Sequence, residues 1–168
     1  SDHRLAGVGF LINSSGIFIT CAHVIEFVGC GPGDKITALF QSDESQCEVR
    51  VLNEGWNDTH ASDIAFLAYE GELPSKIAPL PLGYSENTID HSFSAFGFPK
   101  LRDDDGKLAF NGTWATGKVQ GVVKRRKGER AIQLSSFELD RGFSGSPVFD
   151  LESNLVIGIV TDVTEPNP

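Results

Sequence analysis

Three residues of this sequence, Ser144, His23 and Asp63, could together carry out nucleophilic catalysis. Ser144 lies in the segment Gly142-Phe143-Ser144-Gly145, whose two glycines allow a tight turn with accessible amides. A serine hydroxyl attacks a carbonyl only when a base removes its proton and hydrogen-bond donors receive the developing oxyanion. The segment therefore raises the question of which residues supply the base and orient it.

His23 and Asp63 each stand at the end of an apolar run. His23 comes just after the run 17–20, so a packed strand would hold its imidazole in place. Asp63 immediately precedes the run 64–69, where a buried carboxylate is costly unless it accepts hydrogen bonds. An imidazole N–H is one suitable donor. The remaining histidines lie at the terminus or in polar stretches: His3, His60 and His91.

Short apolar runs separated by turn residues dominate the chain, which is typical of an all-β sandwich or barrel. The predicted strands are 7–12, 17–20, 35–40, 46–52, 64–69, 92–98, 113–123, 131–137, 147–151 and 155–160. One short helical turn is predicted at 21–25, and a hairpin tip at 103–106. The polar stretch 83–91 is interpreted as a crossover between two halves, so the elements would position His23 and Asp63 from one half and Ser144 from the other.

The composition predicts a globular domain whose partners are neither nucleic acids nor membranes. The 168 residues are 40% hydrophobic, and the net charge of −9 disfavours binding to phosphate backbones. The basic run 124–130 is interpreted as a solvated turn. No apolar run approaches the roughly 20 residues of a membrane span.

The three cysteines, Cys21, Cys30 and Cys47, are odd in number and irregular in spacing. This usage favours thiols in a reducing compartment, and a Cys30–Cys47 disulfide stays an open alternative. The sequence opens without the pattern of a secretory signal peptide. We therefore expect the protein to be cytoplasmic.

Five segments, in order along nearly the whole chain, give the sequence a family resemblance. They are 9–12 with 19–24 (GFLI, ITCAHV), 63–67 (DIAFL), 95–99 (AFGFP), 142–148 (GFSGSPV) and 156–161 (VIGIVT). The sequence resembles the trypsin/chymotrypsin-like serine peptidases, in particular their disulfide-poor bacterial branch. The order His23, Asp63, Ser144 is also that of chymotrypsin-type barrels rather than of subtilisins or α/β-hydrolases.

The resemblance implies an all-β fold of two antiparallel β-barrels of the chymotrypsin type. Residues 1–82 would form the first barrel, 83–91 the crossover, and 92–168 the second barrel with the nucleophile. The family pattern also predicts that a terminal strand is missing at each end. We therefore expect one peptidase domain of a longer bacterial protein, with further domains or a regulatory partner.

The resemblance also assigns roles to the candidate residues. Ser144 would be the nucleophile, His23 the general base and then acid, and Asp63 the residue that orients the imidazole. The backbone amides of Gly142 and Ser144 would form the oxyanion hole. The expected reaction is cleavage of a peptide or protein through an acyl-enzyme, with no metal and no cofactor.

Three further residues are expected to bind substrate. Glu138 falls at the floor of the primary specificity pocket and favours Lys or Arg, whereas Val163 replaces a common glycine there and favours smaller residues. Thr161 would help to position Asp63, and its strand would pair with the substrate. Phe143 replaces the aspartate that receives a new amino terminus in secreted members, so activation by such cleavage is not expected. Two alternatives stay open: a latent or inactive peptidase-like binding module, and an esterase that uses the same triad.

Overall fold

The computed structural model describes residues 5–42, 45–99, 112–124 and 130–161. Within these ranges the chain forms ten strands and a single short helix: β1 Phe10–Leu11, β2 Ile17–Thr20, α1 Ala22–Phe27, β3 Lys35–Leu39, β4 Gln46–Val51, β5 Ala65–Ala68, β6 Ser92–Gly97, β7 Thr113–Lys124, β8 Arg130–Ser135, β9 Pro147–Asp150 and β10 Leu155–Ile159. The predicted hairpin tip 103–106 and most of the basic run lie outside the described residues.

The strands form two antiparallel five-stranded sheets, one from each half of the chain. The first sheet has the order β1-β2-β5-β4-β3 and the second has the order β10-β9-β6-β7-β8. Each sheet curls into a half-barrel, so the predicted all-β fold of two antiparallel units is confirmed. The divisions at residues 82 and 91 stay a prediction.

Each sheet encloses its own apolar core. In the first half, Ile25 of α1 packs with Val51 and Ala65 from the facing strands. In the second half, Phe93 and Val148 are fully buried with their neighbours. Since side chains alternate between the two faces of a strand, these cores fix which residues face inwards. Within the described ranges, no helix is long and apolar enough to cross a membrane.

The segment after the first sheet passes from one half to the other within a few residues. The Leu80 amide donates to the Leu11 carbonyl beside β1. Next, the Val156 amide of β10 donates to Pro81, and the Gly83 amide donates to Val156. Residues 81–83 therefore cover part of the β10 edge before the chain enters β6.

Most elements differ from the sequence prediction by a residue or two at their ends, and two of the differences bear on the site. The strand expected at 7–12 pairs as a strand only at Phe10–Leu11, because the Val8 amide donates instead to the Ser144 carbonyl (2.8 Å). The predicted helical turn extends to the six residues of α1, whose inner face joins the first core. Both differences lie next to the candidate catalytic residues.

Candidate active site

The pairing of β2 with β5 brings His23 and Asp63 to the same end of the first sheet. In this antiparallel pair Thr20, the last residue of β2, lies opposite Ala65, the first residue of β5. The chain after β2 and the chain before β5 therefore leave the sheet side by side. His23 lies in α1 just beyond β2, and Asp63 lies just before β5.

Asp63 binds His23 through both of its carboxylate oxygens. The imidazole Nδ1 lies 2.7 Å from Oδ2, and the backbone amide of His23 donates to Oδ1 at 2.9 Å. Cys21, the residue that caps α1, offers no side-chain hydrogen bond to the helix, so Asp63 satisfies an amide of the first turn. Asp63 is 2% exposed, whereas 32% of the His23 side chain is exposed. The carboxylate is thus fixed and the imidazole remains accessible to a reactant.

The backbone of Asp63 adopts a left-handed conformation, with φ of 55°. Such a conformation is uncommon for residues other than glycine and costs about 1–3 kcal/mol. The loop before β5 supports it, because Asn57 and Ile64 exchange two backbone hydrogen bonds and the Asp63 amide donates to Asp58. The Asp58 carboxylate also accepts two amides of the loop. The loop therefore holds the carboxylate that orients His23.

The Ser144 turn depends on glycines that face backbone atoms of both halves. Gly142 has φ of 109° and Gly145 has φ of 84°. A Cβ at Gly142 would clash with the Phe98 carbonyl, and one at Gly145 would clash with the Val8 carbonyl. The turn is therefore packed too closely for larger residues at these two positions.

Phe143 anchors the turn in the second core. Its side chain is fully buried in the cluster around Phe93 and Val148, and its ring lies against Gly97, where a Cβ would overlap it. An apolar contact of Phe143 thus holds the turn in place. In secreted members of the family, the resemblance implies an aspartate at this position.

The amides of the turn divide into two sets. Those of Phe143, Gly145 and Ser146 donate to backbone carbonyl oxygens at 2.8–3.3 Å. Within the described part of the chain, the amides of Gly142 and Ser144 donate to no protein group. These are the two amides that were predicted to form the oxyanion hole, and that role stays a prediction.

The turn packs against the segment of the first half that adjoins His23. The Val8 amide donates to the Ser144 carbonyl, and Gly7 lies beside both that carbonyl and the side chain of Val24. A Cβ on Gly7 would lie 2.5 Å from Val24 and 2.8 Å from the Ser144 oxygen. Since Val24 follows His23 directly, the backbone of Ser144 lies close to the helix that carries the predicted base.

Cys21 is a residue of this site that sequence reasoning treated only as a thiol. Its Sγ donates to the Val160 carbonyl at 3.2 Å, and the Gly145 amide donates to the same oxygen at 2.8 Å. Sγ also lies within 4.8 Å of a ring nitrogen of His23 and of a carboxylate oxygen of Asp63. Its position two residues before His23 was the available signal.

The predicted substrate-binding residues lie in different surroundings. Glu138 is exposed, and its carboxylate accepts hydrogen bonds from the amide (2.6 Å) and hydroxyl (3.2 Å) of Thr116 on β7. Thr161 is half-buried after Val160, and no hydrogen bond joins it to Asp63 among the described residues. Val163 lies outside the described residues. The roles of these three residues stay predictions.

Two curled antiparallel sheets with a histidine–aspartate pair at the end of the first define a chymotrypsin-like peptidase fold. The family model of the trypsin-like peptidase domain matches residues 7–159, and the chain belongs to this family. It is thereby assigned to the serine endopeptidases, a class of hydrolases. A comparison with curated proteins gave no match.

Two solved structures show the same fold. The HtrA-type protease AlgW, solved with a decapeptide, has a TM-score of 0.72 and 19% identity over 95% of this chain. Deg5 has a TM-score of 0.65 and 23% identity over 93% of this chain. The matched regions amount to 44% of the AlgW chain and 73% of the Deg5 chain.

Proposed function

We propose that the domain cleaves peptide bonds through an acyl-enzyme, with His23, Asp63 and Ser144 as its catalytic triad. The observation that carries this proposal is the pair of hydrogen bonds from His23 to the buried carboxylate of Asp63. An acceptor at Nδ1 places the mobile proton there, which leaves Nε2 with the lone pair that a general base needs.

In the proposed reaction, Ser144 Oγ attacks the carbonyl carbon of the substrate while His23 Nε2 takes the hydroxyl proton. Asp63 stabilises the imidazolium, and the amides of Gly142 and Ser144 donate to the oxyanion. His23 then returns the proton to the leaving amine, and water releases the acyl group by the same steps in reverse. Each oxyanion-hole donor is worth about 2.7–4 kcal/mol in comparable enzymes.

The broader setting of the domain belongs to the same proposal. The chain would act on peptides or proteins as a regulated domain of a larger, cytoplasmic, bacterial protein. The 44% share of the AlgW chain that it matches is consistent with further domains, and the absence of disulfides at Cys21, Cys30 and Cys47 suits a reducing compartment. Comparing cleavage by the 168-residue chain and by its full-length parent tests the regulated role.

Labelling with a fluorophosphonate probe tests the triad directly, because such a probe reacts with an activated serine. We expect the chain to be labelled, Ser144→Ala to lose all labelling, and His23→Ala to lose most of it. Ser14→Ala is a matched control, since Ser14 is an exposed serine of the β1–β2 turn. Mass spectrometry of the labelled peptide identifies the modified residue.

The outcome also separates the alternatives. A folded chain that is not labelled would support a latent or inactive binding module. A chain that is labelled at Ser144 and hydrolyses small esters, but leaves every member of a peptide library intact, would be an esterase. Labelling at another serine would contradict the proposed nucleophile.

A further inference from the structure

We propose that Cys21, His23 and Asp63 form an inhibitory binding site for Zn²⁺. One ligand atom from each residue lies within 4.8 Å of the other two. The proposal rests on the proposed function only for its effect on catalysis, since binding itself needs no activity. The reaction itself would still need no metal, because this ion would stop catalysis rather than support it.

The three donor types match the preferences of zinc. Thiolate sulfur, imidazole nitrogen and carboxylate oxygen are its usual protein ligands, at about 2.0–2.3 Å from the ion. Tetrahedral angles at those bond lengths put neighbouring ligand atoms about 3.3–3.5 Å apart. The side chains therefore need to move by about 1 Å, and a water molecule would complete the fourth position.

In the metal-free state, a proton shared between His23 and Asp63 takes the position that the zinc ion would occupy. Nδ1 and Oδ2 are 2.7 Å apart, which is closer than two ligands of one zinc ion. Zinc would replace that proton and increase the distance between Nδ1 and Oδ2. The Nδ1 proton would move to Nε2, and the Cys21 thiol would release its proton to solvent.

Charge balance favours the bound state in these surroundings. Cys21 is fully buried and Asp63 is 2% exposed, so an uncompensated charge here would be costly. A thiolate and a carboxylate together neutralise the two positive charges of the ion, and the imidazole stays neutral. The exposed part of the His23 side chain, 32%, gives the ion a route from solvent.

The bound ion would block catalysis through the tautomer of His23. Ligation at Nδ1 leaves the proton on Nε2, so the imidazole can no longer accept the proton of Ser144. Asp63 would also bind the ion instead of orienting the ring. Inhibition should therefore be reversible by a chelator.

Zinc titration of the Ser144→Ala protein by calorimetry tests binding without any contribution from turnover. We expect one ion per chain, and about 100-fold weaker binding after Cys21→Ser, since even residues outside the ligand set change affinity 10–100-fold. Serine keeps a donor for the Val160 carbonyl but offers no thiolate. Cys30→Ser and Cys47→Ser are matched controls that should bind zinc as before. Equal affinity after Cys21→Ser, or loss of the site with either control, would overturn the proposal.

Cobalt spectroscopy gives a second test that needs no cysteine variant. Co²⁺ bound by a thiolate produces a charge-transfer band in the near ultraviolet, and we expect this band from the Ser144→Ala protein. A tightly bound ion without the band would exclude Cys21 as a ligand. For the active chain, zinc should inhibit cleavage and a chelator should restore it. Cys21→Ser should lose most of this inhibition, measured relative to the variant's own rate without metal. Binding without any turnover would count against the proposed function alone, whereas turnover unaffected by bound zinc would refute inhibition.

Discussion

Each half of the molecule contains a histidine bonded to a buried aspartate, but the hydrogen bonds around the two pairs differ. In the first half, Nδ1 of His23 approaches one oxygen of Asp63 at 2.7 Å. In the second half, Nδ1 of His91 lies 3.1–3.2 Å from both oxygens of Asp150, and its Nε2 lies 3.4 Å from Glu152. His91 is therefore enclosed by carboxylates at both ring nitrogens.

The second pair also has a serine, which makes the comparison instructive. Ser153 donates its hydroxyl to Oδ2 of Asp150 at 2.6 Å, so the serine and His91 both bind the same carboxylate. In a catalytic triad the histidine lies between the serine and the acid. A serine whose hydroxyl donates a hydrogen bond to a carboxylate is held in place, and no base among the described residues is positioned to activate it. The set His91, Asp150 and Ser153 thus ties the crossover to the β9–β10 turn.

Replacing each histidine by alanine should give the largest difference between the two pairs. We expect His23→Ala to lower kcat/KM at least about 10⁴-fold, because the general base is lost. His91→Ala should change kcat/KM of the folded protein by no more than about threefold, since its ring lies among residues of the crossover and of the β9–β10 turn. Steady-state hydrolysis of a peptide substrate measures both. A comparable loss in both variants would show that His91 also takes part in catalysis.

Replacing each aspartate by asparagine should separate activity from stability. Asp63→Asn should lower kcat about 10⁴-fold, because an amide does not fix the catalytic tautomer of His23. Asp150→Asn should instead lower the free energy of unfolding by about 3 kcal/mol, because four protein donors face its buried carboxylate. Urea unfolding and serine labelling of both variants check the contrast. An inactive but fully stable Asp150→Asn protein would contradict it.

The pH dependence of stability sharpens the role of Asp150. Burial raises the pKa of Asp150, but hydrogen bonds from Ser153, from His91 and from the amides of Glu152 and Ser153 outweigh it and hold the pKa below its ordinary value of 3.8. A lowered pKa in the folded state means that the carboxylate stabilises the fold above the unfolded pKa. That contribution is lost as the pH falls through the folded pKa. We expect the difference in unfolding free energy between the wild type and Asp150→Asn to shrink below about pH 4. If the difference in unfolding free energy were as large at pH 2 as at neutral pH, the negative charge of Asp150 would not be its source.

The first pair could be predicted from the sequence and the second could not, for a physical reason. His23 and Asp63 adjoin apolar runs that form β2 and β5, and neighbouring antiparallel strands put their ends together. His91 lies in a polar stretch, and its partner Asp150 is 59 residues away. Their contact follows from the pairing of β6 with β9, where Phe93 lies opposite Asp150.

The same limit applies to Cys21 and Glu138. The hydrogen bond from Cys21 to Val160 joins residues 139 positions apart, and the Thr116–Glu138 bond depends on how the chain folds after β8. Local patterns therefore predicted the strands and the residues at their ends. They did not predict individual contacts between distant segments, whether within the second half, as for Glu138, or between the halves, as for Cys21, because those contacts depend on the packing of whole sheets.

The smallest expected changes in stability are those that distinguish the two serines. Ser153→Ala removes one of several hydrogen bonds to Asp150, so it should cost about 1–2 kcal/mol of stability and leave kcat unchanged. Ser144→Ala should abolish turnover and leave the free energy of unfolding within about 0.5 kcal/mol of the wild type, because its hydroxyl donates to no described protein group. Chemical denaturation and fluorophosphonate labelling of both variants provide the measurements. If Ser153→Ala lost labelling while it remained folded, a serine bound to the carboxylate would be able to affect catalysis, and the distinction between the two sets would fail.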